Sequence, residues 1–359
     1  MRKVLIVLRH DANSKPGGDS NLLEHISSLL PDCQTDIVHG VPLSVVDYEY
    51  VISSNLDRPI EGYELLKLCK KSSTPLHFMT LHHYSNEAIS NYLKNGLYGW
   101  KYLIALISNF NPIKYEQFLW NLRVIISYFK NGPSLRFGNV VKAQKKLINE
   151  CDYLLIVSQD ELASIKRDFG ITKAKIIEFP HVLKNNIDVN SKSAKKNLIF
   201  CPGRIECRKN QIFLLDVAES LPEIEFLFMG SINKSDKRYV SKFLKKANGL
   251  QNVRISPALG VEEFNSFLNS SDIVLTSSWF EVTSLIELQV LRNKRKLVCN
   301  ALSYNSSFFK NSLVYDHNNV VSCRQKILQA FNDNYSVFGN YPTSKGIIDN
   351  YIKKICELK

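Results

Sequence analysis

Long apolar runs are missing from this chain of 359 residues. No window approaches the roughly 18 uninterrupted apolar residues of a membrane-crossing helix, so no transmembrane span is expected. The opening Met1-Arg2-Lys3 followed by Val4-Leu5-Ile6-Val7-Leu8 has the basic-then-apolar look of a leader. Its apolar core is shorter than the roughly 7–15 residues a leader needs, and it predicts a buried first strand instead. Paired cysteines are missing too. The eight thiols, Cys33, Cys69, Cys151, Cys201, Cys207, Cys299, Cys323 and Cys356, are scattered without a Cys-x-x-Cys. That excludes a zinc-ribbon pattern and a disulfide framework, and predicts reduced, mostly buried thiols in a cytoplasmic protein. Neither an internal repeat nor a low-complexity tract is present. Acids are in short supply: 34 Asp and Glu against 46 Lys and Arg leave a formal charge of +12. A surplus of that size suggests an anionic partner, whether nucleic acid, anionic lipid or a phosphorylated small molecule. No nucleic-acid-binding module is recognisable, so nucleic acid is not expected.

What is present is an alternation of short apolar segments with helical patterns. In the first half, strands are expected at 4–8, 34–39, 50–53, 76–80 and 153–157. Helices are expected at 21–30, 61–71 and 160–169, the last closed by Gly170. Residues 184–196 are polar and poor in large apolar side chains, which reads as a linker. The pattern then restarts, with strands at 198–201, 225–229, 253–256 and 273–276 and helices at 210–220, 239–247 and 261–268. The chain ends in a helical pattern over 343–358. Such alternation predicts parallel sheets with crossover helices. The expected division is an N-terminal Rossmann-like domain over 1–183, a linker over 184–196 and a C-terminal Rossmann-like domain over 197–342. A last helix over 343–359 is placed to pack back on the first domain.

Chemistry concentrates in the second half. After the strand at 198–201 comes Pro202-Gly203-Arg204-Ile205-Glu206-Cys207-Arg208-Lys209-Asn210-Gln211. Gly203 lets the chain leave the strand tightly. Arg204 and Lys209 then stand at the carboxyl end of a parallel sheet, where open α/β folds bind ligands. A guanidinium and an ammonium suit a diphosphate. The strand at 225–229 ends in another turn, Gly230-Ser231, and 249–258 is a strand leading into a loop. The densest segment runs from Asp272 to Gln289. Its strand ends at Ser277-Ser278, Glu281 and Val282 follow, and a helix is expected to begin near Thr283, Ser284 and Leu285. Amides at a helix start bind phosphate oxygens, and Glu281 is placed to accept hydrogen bonds from sugar hydroxyls.

These segments resemble the retaining glycosyltransferases of family 4, of bacterial surface-polysaccharide type, which have the GT-B fold: two Rossmann-like domains whose parallel sheets face each other across a cleft. The resemblance is sharpest over 198–298. Asn55-Leu56-Asp57-Arg58-Pro59, Pro16-Gly17-Gly18-Asp19 and the helix running from Ser158 to Gly170 also look like family landmarks. It implies that the Gly-Arg…Lys-Asn loop holds the donor diphosphate. The first acid of a Glu-x7-Glu segment contacts the donor sugar and the second contacts the ribose. Glu281 falls on the first acid. The second position is occupied by Gln289, which can still hydrogen-bond a ribose hydroxyl, without charge assistance. Glu287 lies two residues short of that position, on another face of the helix. The resemblance also places the Gly17-Gly18 loop near the donor phosphates and acceptor, and His83 near the transferred sugar. Glu281, Arg204, Lys209 and His83 are therefore the candidate catalytic residues. Gly17, Gly18, Gly203, Arg204, Lys209, Glu281, Val282, Thr283, Ser284, Leu285 and Gln289 are the candidate donor-binding set.

The implied reaction takes a UDP- or GDP-sugar as substrate, without a further cofactor and without a metal, since no Asp-x-Asp pair is present. The implied acceptor is a glycan or a lipid-linked oligosaccharide. A catalytically weak or inactive sugar-nucleotide-binding protein is the alternative, suggested by Gln289. Residues 91–150 add one more expectation. They hold nine Lys and Arg against two acids, with eleven aromatics including Trp100, Tyr102 and Trp120. Basic residues mixed with Trp and Tyr suit an anionic membrane interface, so peripheral docking on the inner face of the membrane is expected.

Overall fold

The computed structural model describes residues 2–13, 17–82, 86–131, 135–183, 197–304, 308–309, 312–332 and 341–358. The chain divides into two compact units. One gathers residues 1–84, 111–184 and 342–359, and the other residues 85–110 and 185–341. The expected linker over 184–196 lies outside the described residues, as do Pro16 and His83.

The first unit is built on β1 (Arg2–Leu8), β2 (Cys33–His39), β3 (Tyr50–Ser54), β4 (Leu76–Met79), β5 (Tyr153–Ile156) and β6 (Lys175–Glu178). They form one sheet in the order β2-β1-β3-β4-β5-β6, every neighbouring pair parallel. Val4 to Leu8 are buried because helices cover both faces of a parallel sheet, which is why the run is apolar without alternation. The crossover helices of this unit are α1 (Gly18–Ser27), α2 (Pro59–Lys71), α5 (Pro112–Asn131), α6 (Val140–Glu150) and α7 (Gln159–Phe169). The C-terminal α13 (Ser344–Leu358) also belongs here. Its Tyr351 is fully buried, and the Tyr351 hydroxyl lies 2.6 Å from His77 Nδ1 on β4.

The second unit carries β7 (Leu198–Pro202), β8 (Glu225–Met229), β9 (Val253–Ser256), β10 (Ile273–Leu275), β11 (Lys296–Asn300) and β12 (Leu313–Tyr315). This sheet is again parallel, in the order β12-β11-β10-β7-β8-β9. Its helices are α8 (Gln211–Glu219), α9 (Lys237–Ala247), α10 (Val261–Ser270), α11 (Leu285–Arg292) and α12 (Val320–Asn332). A core of Phe213, Phe226, Phe228, Phe243, Tyr239 and Tyr315 packs beneath it.

Residues 91–150 hold parts of four helices, two in each unit. The last two, α5 and α6, stay with the first unit. The first two, α3 (Asn86–Asn95) and α4 (Trp100–Ile107), pack with the second unit, although they precede its sheet by about a hundred residues. Lys101 of α4 pairs with Asp236 at 2.5 Å, and Tyr98 meets Tyr239 edge to face at 5.5 Å. The expected strands all appear with ends within two residues of those read from the sequence. The first helix begins earlier than expected, at Gly18 rather than Asn21.

In both sheets the strand order reverses once, between β1 and β3 in one and between β7 and β10 in the other. Such a reversal opens a crevice at the strands' carboxyl ends, because successive crossovers leave in opposite directions there. Gly17 and Gly18 follow β1 at the first of these places, and Gly203, Arg204 and Lys209 follow β7 at the second.

Candidate functional site

In the second unit the switch point lies between the ends of β7 and β10. The chain leaves β7 through Gly203, whose φ of +145° is one that side-chain-bearing residues rarely adopt. A Cβ there would be 3.9 Å from Lys209 and 3.9 Å from Ile286 in the first turn of α11. Gly230, at the end of β8, is more tightly held: a Cβ would stand 2.1 Å from the carbonyl oxygen of Gly203. The loop then makes a single 3-10 turn over Cys207–Lys209 and enters α8 through Asn210, which sits in the left-handed region at φ +54°. The helix expected from Asn210 thus starts one residue later, with Asn210 serving as the hinge.

That turn aims two adjacent cations at one acid. Arg208 Nη1 donates to Glu281 Oε2 at 2.8 Å, and Lys209 Nζ donates to Glu281 Oε1. Arg208 also reaches the Phe280 carbonyl at 3.3 Å and lies over the Phe280 ring at 5.9 Å. Burial raises the Glu281 carboxyl, but the Arg208 and Lys209 charges outweigh it and hold the group well below the usual carboxylate range. Burial likewise opposes charge on Arg208, and Glu281 and Glu206 overcome it and raise its affinity for a proton. Glu281 is therefore an ionised, nearly buried acid gripped from both sides. Loop and turn are also sewn together through backbone. The Trp279 amide donates to the Arg208 carbonyl at 2.9 Å, and the Ser277 hydroxyl to the Lys209 carbonyl at 2.7 Å.

The helix after Glu281 starts at Leu285. Ser284 is its N-cap, accepting from the Glu287 amide at 3.4 Å, while Thr283 precedes the cap and is buried. Val282 and Leu285 flank this cap and are half-buried. The first-turn amides of α11 carry the partial positive charge of a helix start. Two side chains of α11 have buried oxygens with no hydrogen-bond partner: Glu287 Oε2 and Gln289 Oε1. Glu287 is fully buried and accepts from the Thr276 hydroxyl at 2.7 Å. Burial pushes its carboxyl up to about 8, so it is mostly neutral at physiological pH. The charge of this region is thus positive: Arg204, Arg208 and Lys209 outnumber the two acids they face, Glu206 and Glu281.

Lys209, Glu281, Gly203 and the cap of α11 are brought together as the sequence reading expects. Arg204 is not part of the ion-paired core. Its side chain is 47% exposed, and among the described residues its ionic contact is Glu206 at 3.8 Å. Arg208, which now holds Glu281, was missed, although it is adjacent to Lys209. Nothing local in the sequence shows that a single 3-10 turn brings both neighbouring cations to one acid. Asn300 and His317, at the ends of β11 and β12, were also missed. Asn300 Nδ2 donates to the Ser278 carbonyl and to His317 Nδ1, both at 2.7 Å, and the His317 ring packs on Trp279 at 4.2 Å between centroids. Burial lowers His317 to about 4, so it is neutral. Behind the turn, Tyr92 of α3 packs against Trp279 and Phe280 at 6.2 and 5.3 Å. Gly96 is small for the same reason, since a Cβ would lie 2.7 Å from Trp279 Nε1.

The first unit has its own cluster at the β1/β3 switch point. Gly17 is the N-cap of α1 and Gly18 its first residue, so both belong to a helix start rather than to a free loop. Asp19 accepts from Arg9 at 3.0 Å and from Asn55 at 2.8 Å. Arg9 and Arg58 both hold Asp11, at 2.7 and 3.1 Å, and His10 meets Glu61 at 2.8 Å. The landmark residues Asn55 and Arg58 are thereby explained as partners of Asp19 on α1 and of Asp11 in the loop after β1. His82 Nε2 donates to the Asp168 carboxylate at 2.9 Å, while its neighbour His83 is not described.

Residues 184–340 match the model of the family described as glycosyl transferases group 1. Comparison with curated proteins by sequence found no match. Among solved structures, the chain is similar to HepE from Anabaena, determined in complex with UDP, with a TM-score of 0.64 and 11% identity over 99% of this chain and 95% of that one. It is also similar to sucrose-phosphate synthase from Thermosynechococcus elongatus, with a TM-score of 0.60 and 10% identity over 100% and 95% of the two chains. A third is the lipopolysaccharide outer core galactosyltransferase WaaB in its apo form, with a TM-score of 0.57 and 11% identity over 99% of each chain. At such identities the likeness is one of fold. The chain therefore has the two-domain α/β fold of the GT-B class, and its second unit bears the signature of the group 1 glycosyl transferases.

Proposed function

We propose that this protein is a retaining glycosyltransferase that moves a sugar from a nucleotide-sugar to a glycan or lipid-linked acceptor in surface polysaccharide synthesis. The observation that carries the reading is the Arg208–Glu281–Lys209 ion triplet at the β7/β10 switch point, inside the segment matched by the group 1 family. In this reading Lys209, Arg208 and the more exposed Arg204 face the donor diphosphate, and the α11 amides complete the anion site. Glu281, held ionised, accepts from donor-sugar hydroxyls. The anomeric carbon–oxygen bond breaks, negative charge grows on the leaving diphosphate, and the neighbouring cations stabilise it. The acceptor hydroxyl adds on the same face and gives its proton to a leaving phosphate oxygen, so configuration is retained. UDP in the HepE complex and galactosyl transfer in the name of WaaB support a nucleotide-sugar donor and a surface-glycan product. Metal independence is part of the proposal: the charge growing on the diphosphate is met by Arg204, Arg208 and Lys209.

A second reading, a sugar-nucleotide-binding protein without turnover, draws on Gln289 and on the neutral Glu287, which together leave the far end of the donor segment without a carboxylate charge. A thermal-shift panel of UDP- and GDP-sugars, followed by mass spectrometry and NMR of transfer and hydrolysis products, separates the readings. A melting shift with product that keeps the donor's anomeric configuration supports the transferase. A shift with no product supports the binding protein, and no shift with any nucleotide-sugar removes both.

A further inference from the structure

Arg123 on α5 is half-buried, and among the described residues it makes no hydrogen bond and no ion pair. Trp120 and Val124 bury one side of that helix against Ile60 in the first turn of α2. Arg123 is thereby set beside Arg58, the N-cap of α2. Burial and the like charge of Arg58 lower its affinity for a proton, while Glu116, Asp57 and Asp11 attract it from farther off. An arginine does not shed its proton to escape such a place. A guanidinium drawn out of water is therefore costly until an acid meets it. The nearest acids are already engaged. Asp11 is held by Arg9 at 2.7 Å and by Arg58 at 3.1 Å, Asp19 by Arg9 and Asn55 at 3.0 and 2.8 Å, and Glu61 by His10 at 2.8 Å. All of these residues belong to the first unit. They gather at the carboxyl ends of β1 and β3, the switch point at which an open α/β sheet takes its ligand.

We propose that Arg123 recognises a carboxylate on the acceptor, which makes the acceptor an acidic glycan bearing a hexuronate-type sugar. Charge balance selects a carboxylate over a phosphate. One guanidinium is uncommitted, and a carboxylate brings one negative charge on two oxygens that match the guanidinium fork. A phosphate monoester brings about −1.5 to −2, into a crevice that already holds the carboxyl groups of Asp11, Asp19 and Glu61. Those groups keep lone pairs that suit the sugar's remaining hydroxyls. Calling the ligand an acceptor rests on the transferase reading. Binding of an acidic sugar does not need turnover, and Arg208, Lys209 and Glu281 lie in the other unit.

Ligand-observed NMR on the whole protein with methyl glucuronide, methyl glucoside and glucose 6-phosphate tests this. Methyl glucuronide is expected to bind at least about tenfold more tightly than methyl glucoside, the scale of one charge-assisted, two-point contact. Arg123→Met should remove that preference and leave glucoside binding unchanged. Arg123→Lys, which keeps the charge and loses the fork, should retain only part of it. Stability gives a readout that a structural role would move the other way. Without ligand, the melting temperature of Arg123→Met should not fall, and is expected to rise by about 2–4 °C, because an uncompensated charge is gone. Lys209→Ala should weaken nucleotide-sugar binding and leave glucuronide binding as it is. If no nucleotide-sugar binds but the glucuronide does, the transferase reading fails and the acidic-sugar site stands. Equal affinities for glucuronide and glucoside overturn the proposal. So does the lack of a glucuronide signal at about 10 mM, beyond the millimolar range of a weak single-sugar site. Tighter binding of glucose 6-phosphate would overturn it in favour of a phosphate site. A lower melting temperature of Arg123→Met would overturn it by revealing an internal partner, and so would loss of UDP binding in that variant with glucuronide binding kept.

Discussion

Glu281 and Glu287 lie six residues apart in one segment and carry opposite protonation states, because their partners differ. Glu281 has two cations; Glu287 has one hydroxyl and an apolar surround. Glu281→Gln removes the charge that balances Arg208 and Lys209 and is expected to lower kcat/KM by about a hundredfold or more, the scale of losing one well-placed transition-state contact. Gln289→Ala should cost less than about tenfold, because that position has no charge to lose, and Gln289→Glu should tighten donor binding if it faces the ribose. Steady-state kinetics with the true donor decides, and the reverse order would mean that the acids have been misassigned. Glu287 makes a separate prediction about pH. Its native carboxyl titrates near 8, whereas an unfolded glutamate titrates near 4.3. Below both values the proton is bound in either state and stability is unaffected. Between them the unfolded chain releases a proton that the native state keeps, so stability should fall as pH rises, by at most about 1.4 kcal/mol per pH unit, and level off above about 8. Urea unfolding of wild type and Glu287→Gln across this window should show the slope reduced by that amount in the variant. Parallel curves would show that Glu287 is ionised in the native protein.

The elements that build the site are strand ends rather than whole strands or helices. The β7 exit at Gly203 and the β8 exit at Gly230 touch through backbone, with no room for a side chain between them. Gly230→Ala must push the Gly203–Arg204 peptide away, which should destabilise the second unit by about 1–3 kcal/mol. It should also weaken donor binding, since Lys209 follows on the same loop. A chemical melt together with the donor-induced shift in melting temperature would check both effects, and wild-type values for both would show that the β7 exit is free to move. The helices α3 and α4 are elements of a different kind. They do not extend the sheet, but they brace the loop after β7. Lys101 holds Asp236, whose other oxygen accepts from the Cys207 amide at 3.0 Å, and Tyr92 backs Phe280 beneath Arg208.

The molecule as a whole ties its two units with chain crossings in both directions. Residues 85–110 belong with the second unit, and the C-terminal α13 returns to the first, where Ile347, Ile348, Tyr351 and Ile355 are buried and Ser344 bonds the Leu183 carbonyl at 2.6 Å. Removing residues 342–359 should therefore loosen a sheet whose last strand ends at Glu178, far earlier in the chain. Hydrogen exchange is expected to rise first in β4, β5 and β6, where His77 loses Tyr351, while β7, β8 and β10 stay protected. The milder Tyr351→Phe should cost about 1–2 kcal/mol, the scale of a buried hydrogen bond lost with one partner left behind. Uniform loss of protection across both units would show that α13 does not belong to the first unit alone.

The alternating architecture was written in the chain because parallel strands buried on both faces must be apolar runs, and their crossover helices must be amphipathic. Strand positions were therefore legible at most places from residues 4–8 to 273–276, but not at β6, where only Ile177 is buried. The segment proposed to hold the donor was legible for a similar reason: a glycine exit, adjacent cations and a capped helix after an acid are local features whose spacing survives folding. What the sequence did not determine was pairing across distance. Which of Arg204, Arg208 and Lys209 grips Glu281 depends on how a 3-10 turn faces a loop some seventy residues later. That Trp120 is core and Trp100 is surface depends on what packs against each helix, since both lie in the same basic, aromatic stretch. Glu287 is neutral only because β10, α11 and β11 close over it and withdraw water, and burial of that kind is created by the tertiary structure alone.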